Sequence, residues 1–298
     1  MPCCVHPPIW PMPPSTRSWP RLLARYPVAC VLIDPFAPNP MDNDAMNPTA
    51  CILVIGNEIL SGRTQDVNVQ YIAHRLTQLG ISLREVRIIP DIRPVIVNVV
   101  TEARAAYDHV FTTGGIGPTH DDITSSCVAD AFGVPWAPHP ETFALLEKHF
   151  APGDFNAARQ RMATLPEGAT PIRNPISIAP GFTMGNVHVM AGGPRIMRAM
   201  FEEIAPTLRH GTPVTSRSWH AFGLYEGALA ANLENIQNAH PDIDIGSYPF
   251  HDHDGHGGVA LVCKGLDMDE VTQVARDIEA MIREMGFTPL EGEPAHKA

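Results

Sequence analysis

Between Ala50 and Thr215 the apolar positions switch repeatedly between two spacings. ACILVI, from Ala50, is a continuous apolar run, the pattern of a strand covered on both faces of a parallel sheet. Beyond Gly56, Val69, Ile72, Leu76 and Leu79 recur at helical intervals, and Gly80 ends the series. ISLREVRII predicts a second strand, Pro94 opens a helix running through Tyr107, and DHVFTT is a third strand. After the glycine-rich stretch that follows, Ile123, Cys127, Val128 and Ala131 return to helical spacing. Asp121 and Asp122 stand at the start of this helix and Gly133 at its end. Strand and helix alternating three times predict a doubly wound α/β layer.

The middle of the chain continues the theme less regularly. PETFALLEKHF predicts a helix begun by Pro140, and DFNAARQRMATL a second one. Short strand-like pieces follow around Pro171 to Arg173, Ile178 to Met184 and Val187 to Met190. AGGPRIMRAMFEEIAPTL then repeats the opening design. An apolar strand runs into Gly192 and Gly193, and Pro194 starts a helix carrying Met197, Met200, Phe201 and Ile204.

From Thr215 the pattern is that of a smaller α+β unit. SRSWHAFGL reads as a strand and Gly227 to Asn238 as a helix with Leu229, Leu233 and Ile236 inward. Ile243 to Tyr248 and Val259 to Lys264 read as strands joined through HDHDGHGG, and Met268 to Met285 as a helix with Val271, Val274, Ile278 and Ile282 on one face. The first 45 or so residues share none of this periodicity. Prolines crowd PPIWPMPP and PFAPNP, so a flexible extension is expected there, with Met41 or Met46 as a candidate natural start. The expected division is an extension over 1–48, an α/β domain over 49–214 and a lobe over 215–298.

Composition narrows the picture modestly. The 298 residues suffice for one large or two modest domains, and a net charge of −11 weighs against a nucleic-acid partner, which needs a basic face. No apolar run approaches the roughly 20 residues of a membrane span, so no membrane partner is expected. Six cysteines without a CxxC pair point to reduced thiols and a cytoplasmic location.

The chemistry concentrates in HVFTTGGIGPTHDDIT, His109 to Thr124. Gly114, Gly115 and Gly117 allow positive φ and close approach of the backbone to a ligand, and Pro118 stiffens the exit. A helix opening at the end of such a loop makes an anion site, so a phosphate-bearing ligand is the first expectation. Asp121 and Asp122 would repel a bare phosphate. They are explained if a cation bridges them to the ligand or if they hold sugar hydroxyls or an attacking water. The plainer alternative is that Asp121 caps the helix and Asp122 is solvated. Gly56, Gly114 and Gly192 recur at three strand-to-loop junctions, and ligands of parallel sheets sit beyond the carboxyl ends of strands. If those strands are neighbours, Glu58, Asp121 and Asp122 face one cleft. His251, His253 and His256 suggest a metal site in the HDHDGH segment, but a polar hairpin turn explains them more simply.

Five blocks in order, IGNEILSG, TTGGIGPTHDDIT, LPEGATPIRNP, APGF and HVMAGGPRIMRAMFEE, resemble the competence/damage-inducible protein A (CinA) family, whose domain is shared with the molybdopterin-binding MoaB/Mog proteins. The likeness runs from about Ala50 to the C-terminus. It implies a three-layer α/β/α MoaB/Mog-like domain followed by a small α+β lobe of KH-like topology. The family's nicotinamide-nucleotide amidase domain has no expected counterpart here.

The resemblance also implies binding of a nucleotide-type pyrophosphate. In the CinA branch this is linked to divalent-metal-dependent hydrolysis of ADP-ribose, and in the Mog branch to molybdopterin binding and adenylylation. A non-catalytic nucleotide- or pterin-binding module, and a homo-oligomer, are further expectations. By resemblance Gly114, Gly115, Gly117, Pro118 and Thr119 cradle the phosphates, Asp121 and Asp122 hold Mg²⁺ or another divalent metal or position water, and Glu58 is a third acid. Asn68, Asn174 and Gly192 border the ligand, and Gly56, Asn57, Thr124 and Gly193 are grouped with them. Two positions depart from the family pattern: Ile196 stands where an acid is usual, and Asn57 where many relatives have Asp. Arg195 reads either as a replacement phosphate contact or as a surface residue. Both departures bear on hydrolysis more than on binding.

Overall fold

The computed structural model describes residues 47–252 and 255–294. The extension reading for the first 45 residues, and His253 of the HDHDGH segment, fall outside the described residues. Elements run in the order β1 (Thr49–Ile55), α1 (Asn57–Leu60), α2 (Asn68–Gln78), β2 (Ser82–Ile89), α3 (Arg93–Ala106), β3 (His109–Thr113) and α4 (Thr124–Phe132). An excursion follows, comprising β4 (Trp136–Pro138), α5 (Pro140–His149), α6 (Ala157–Arg161) and β5 (Thr164–Pro166). The layer then resumes with β6 (Thr170–Ile172), β7 (Gly181–Met184), β8 (Val187–Met190) and α7 (Pro194–Ile204).

These strands build a six-stranded sheet in the order β2-β1-β3-β8-β7-β6. β2, β1, β3 and β8 are mutually parallel, while β7 is antiparallel to both of its neighbours. β1 explains the layering. Cys51, Leu53 and Ile55 point into a core with Ile96 and Val100 of α3 and Cys127 and Val128 of α4. Ala50, Ile52 and Val54 point the other way, against Ile72 and Leu76 of α2 and Met197, Met200 and Phe201 of α7. A strand buried on both faces must be apolar throughout, which is why ACILVI shows no alternation. The result is the expected three-layer α/β/α architecture.

Beyond it lie β9 (Thr215–Phe222), α8 (Glu226–Ala239), β10 (Asp244–His251), β11 (Gly257–Gly265), α9 (Met268–Glu284) and β12 (Leu290–Glu291). Their four strands pair antiparallel in the order β10-β11-β9-β12. Leu229 of α8 and Val271, Val274, Ile278 and Ile282 of α9 share a separate core with Ala221, Val259 and Leu261 of the sheet. No helix among the described residues is long and apolar enough to cross a membrane. Cys51, Cys127 and Cys263 are buried and free.

Four local expectations need correction. The segment after Gly56 contains a helical turn, α1, rather than only a loop. The second helix of the excursion stops at Arg161, because Thr164–Pro166 leaves to pair with β4. β7 starts at Gly181, not Ile178; Ile178 takes φ 68, a backbone conformation costly for a β-branched residue. The helix after the glycine loop starts at Thr124, past the two acids.

A buried histidine pair sits at the start of the β3–β8 ladder. His188 stacks on Phe111 with ring centroids 5.1 Å apart, its Nδ1 lies 3.0 Å from Thr183 Oγ1, and its Nε2 lies 3.4 Å from His109 Nδ1. Burial, and then the neighbouring His109, push His188 down to about 3 from its ordinary 6.5. Burial likewise lowers His109. Below pH 6.5 the unfolded chain takes up protons that the folded chain refuses. The stability of the neutral pair is therefore complete above that pH and is lost as pH falls. Urea denaturation should show on the order of 2 kcal/mol less stability at pH 5 than at pH 7 from His188 alone. His188→Leu should remove most of that difference, and an unchanged pH slope in the variant would contradict the assignment.

Candidate functional site

The parallel register places four strand ends side by side. Ile55 pairs with Ile89, Val54 with Thr113, and Thr113 with Met190, so the residues that follow these strands emerge at one level. Backbone hydrogen bonds extend the ladder one step further: Gly56 N donates to Ile89 O at 3.1 Å, and Gly114 N to Met190 O at 3.1 Å. The three glycine junctions of the sequence are thus neighbours, as the cleft reading requires.

Each glycine has a packing reason. Gly114 takes φ 99, and a Cβ there would lie 2.2 Å from Ile55 O. Gly115 takes φ 66 with Thr124 Oγ1 directly behind it, 2.1 Å from where a Cβ would stand. The junctions also touch one another: a Cβ on Gly192 would come within 3.3 Å of Gly114 Cα. Asn68, buried at the start of α2, donates from Nδ2 to Gly192 O at 2.8 Å and ties α2 to the β8–α7 junction. Asn68 Oδ1 and Thr124 Oγ1 are buried without a hydrogen-bond partner. Such atoms are uncommon in folded proteins, and both of these border the glycine junctions.

The acids are arranged by Thr119 rather than by the helix. Thr119 donates its N–H to Asp122 Oδ2 at 2.8 Å, and its hydroxyl lies 2.6 Å from Asp121 Oδ1 and 2.5 Å from Asp122 Oδ2. The capping reading of Asp121 is therefore replaced. α4 begins after Ile123 without a side-chain cap, and the Thr124 N–H is already donated to Gly115 O at 3.0 Å. The Thr119 hydroxyl holds the exposed Asp121 carboxyl below the usual carboxylate range. Asp122 folds beneath Gly117, where a Cβ would stand 2.6 Å from its Oδ2.

On the β1 side, Glu58 curls back over Gly56, its Oε1 2.6 Å from where a Cβ would be. The Asn57 N–H donates to Asp91 Oδ2 at 2.8 Å. Asp91, just past the end of β2, is a site residue absent from the sequence reading. It stands two residues past a parallel strand, at the same edge as the glycine junctions, but only the β1–β2 pairing brings it to the other acids. Burial, and then the charges of Glu58 and Asp121, raise its pKa, opposed by the Asn57 N–H. That coupling places Glu58, Asp91 and Asp121 in one electrostatic neighbourhood.

Arg161 is a second addition. From the end of α6 its Nη2 donates to Asp122 O at 3.2 Å, and no carboxylate pairs with it among the described residues. Nothing in its local sequence context marked it.

The remaining residues are less engaged. Pro118, Gly192, Gly193 and Arg195 are exposed, and Arg195 has no ion pair among the described residues. Ile196 packs against the α2/α7 core. Asn174 follows β6, which runs parallel to β8, so its loop lies at the same edge of the sheet. Its side chain is spent within that loop: Nδ2 donates to Ser177 Oγ and Ala179 O, and Oδ1 accepts from the N–H groups of Ile176 and Ser177. Asn174 shapes the rim instead of presenting free polar atoms.

An ionised Asp91 in this company costs stability. Because its pKa is raised on folding from 3.8, the penalty applies in full at neutral pH, shrinks as pH falls through the folded value and disappears only below 3.8, where the carboxyl is protonated in either state. Asp91→Asn should therefore raise the unfolding temperature at pH 7, with the gain shrinking on acidification. A lower unfolding temperature at pH 7 would show that the acids do not repel one another.

A mostly parallel sheet sandwiched between helices, with glycine loops and acids at its carboxyl edge, defines a doubly wound α/β protein of the kind that binds ligands beyond its strand ends. Residues 51–210 match the family described as "Probable molybdopterin binding domain", and residues 216–291 match "FAD synthase, middle domain". A protein of Pyrobaculum calidifontis is 35% identical over 258 residues, covering 83% of this chain and 91% of its own length. A CinA-like protein of Myxococcus xanthus is 30% identical over 255 residues, 81% of this chain and 60% of its own. The crystal structure of the protein CinA from Thermoplasma acidophilum resembles this chain with a TM-score of 0.51 at 30% identity, covering 54% of this chain and 97% of that one. The chain belongs to the CinA-like family, with a MoaB/Mog-type domain and a second lobe.

Proposed function

We propose that the edge formed by Gly56, Gly114 and Gly192 binds the pyrophosphate of a small nucleotide and that the acids beside it support hydrolysis of ADP-ribose or a similar dinucleotide. The observation that carries the reading is the close approach of Gly114 to Ile55 O, which leaves room for no side chain between the two strand ends. The backbone amides of Gly115, Ile116 and Gly117, the part of the loop not already committed to Met190 O or Asp122, are thereby left to serve phosphate oxygens.

No three His, Cys, Asp or Glu side chains among the described residues are grouped to hold a metal ion by themselves. Asp121 and Asp122 nevertheless converge on one hydroxyl, which suits Mg²⁺, an ion that takes one or two carboxylates and completes its shell with phosphates and water. Asp121 and Asp122 would hold such an ion, and when bound it would offset phosphate charge. Of the protein's own groups, Asp122 is anchored by the Thr119 N–H and is the base that orients water. Loop amides hold the non-bridging oxygens, and Arg161 fixes the carbonyl behind Asp122. The cytoplasm is the compartment this reading expects.

Purified protein given ADP-ribose and Mg²⁺ should release AMP, and Asp122→Asn should lose that activity. Absence of AMP with every divalent metal would remove the hydrolytic reading. The family description, a probable molybdopterin binding domain, favours a second reading, binding of molybdopterin; adenylylation, which the resemblance adds, would be recognised by adenylyl transfer from ATP. Thermal stabilisation by a nucleotide or pterin without turnover would instead mark a binding module; a ligand at 100 times its Kd adds roughly 2.7 kcal/mol.

A further inference from the structure

β2 closes one side of the six-stranded sheet, and no described strand pairs with its outer edge. It is eight residues long, and on its α2 side Val86 and Ile88 are 39% and 46% exposed. Arg84, Glu85 and Arg87 charge this strand, but Val86 and Ile88 remain an exposed apolar pair beside unpaired backbone, a place where a second strand can add. Ile89 O faces β1, where it accepts from Gly56 N, so by alternation the N–H and C=O groups of Val86 and Ile88 point outward. The bulge in the β1 pairing lies earlier, at Arg84, and does not disturb this phase.

We infer that β2 is a dimer edge: it pairs antiparallel with β2 of a second copy of this chain about a two-fold axis at Val86. The charges select both the occupant and the register. With Val86 opposite itself, the two Val86 residues exchange both backbone hydrogen bonds, and Glu85 lies opposite Arg87 of the second copy at two symmetric places. Centring on Glu85, Arg87 or Arg84 sets like charges against each other. Centring on Ile88 puts Pro90, which has no N–H, opposite Val86. Arg87 already binds Glu85 and Glu102 on the α3 side, at 2.8 Å to each, so both charges are held in place before pairing. Asp91 lies five residues from the axis, so the two candidate sites stand roughly 34 Å apart and both stay open.

Sedimentation and light scattering of the full chain at micromolar concentration should give twice the chain mass. Val86→Lys, which sets two ammonium groups face to face, should give the monomer with an unchanged circular dichroism spectrum. Val86→Cys should form a disulfide-linked dimer under mild oxidation, beyond any seen for the wild type on the same non-reducing gel. A monomeric wild type, or an oligomer that survives Val86→Lys while Val86→Cys fails to cross-link, overturns the proposal.

Discussion

Gly114→Ala should lose ligand binding and a large part of the stability of the α/β layer together. At φ 99 an alanine is strained, and its Cβ would stand 2.2 Å from Ile55 O, a main-chain atom of the central strand that has little room to move. Left-handed strain of about 1–2 kcal/mol and overpacking of about 1–3 kcal/mol put the loss at roughly 2–5 kcal/mol. For a domain of this size that is a fall on the order of 10 °C in the unfolding temperature. Relief requires β1 and β3 to part at their carboxyl ends, which displaces Gly115 to Thr119 and the amides proposed to serve phosphate. A comparison glycine separates the two effects. Gly133→Ala also strains a left-handed position, φ 65, but nothing lies within 4 Å of its Cβ, and it stands at the far end of α4. It should destabilise modestly and leave ligand binding intact. Equal effects of the two variants would mean that the approach to Ile55 is not special.

Asp122→Asn should separate binding from chemistry. The amide oxygen can still accept the Thr119 N–H, so stability should change by about 1 kcal/mol or less. What disappears is the charge and basicity needed to orient and deprotonate water, a role worth roughly 10²–10⁴ in rate. Steady-state assay of AMP release at saturating Mg²⁺ should therefore show the loss in kcat, with KM altered little, because Asp121 can still hold the ion and the loop amides are the groups proposed to hold the phosphates. If KM rises while kcat is kept, Asp122 is a binding group and another residue is the base.

Much of the layer was legible because its strands are buried on both sides. ACILVI could hardly be anything but a covered strand, and the helical spacing of Val69 to Leu79 and of Pro194 to Ile204 marks two of the helices that cover it. The glycine junctions were legible for a related reason: strands meeting at one edge leave no volume for Cβ atoms, and the chain records this as glycine. Asp91 was not legible, because its place beside Glu58 and Asp121 depends on β2 lying next to β1, a pairing between residues far apart in sequence. The start of α4 was misplaced because two aspartates ordinarily open a helix; here Thr119 engages both side chains three residues early. Asn174 stands at the expected edge of the sheet, but local sequence could not disclose that its own loop uses both polar atoms of its side chain.

The central claim is that these strand ends form a pyrophosphate site. Calorimetric titration of ADP-ribose with Mg²⁺ into Asp122→Asn protein tests it without interference from turnover. One ligand should bind per chain, and binding should vanish when Gly114→Ala is added. Absence of binding by folded Asp122→Asn protein, or binding undiminished by Gly114→Ala, would contradict the account.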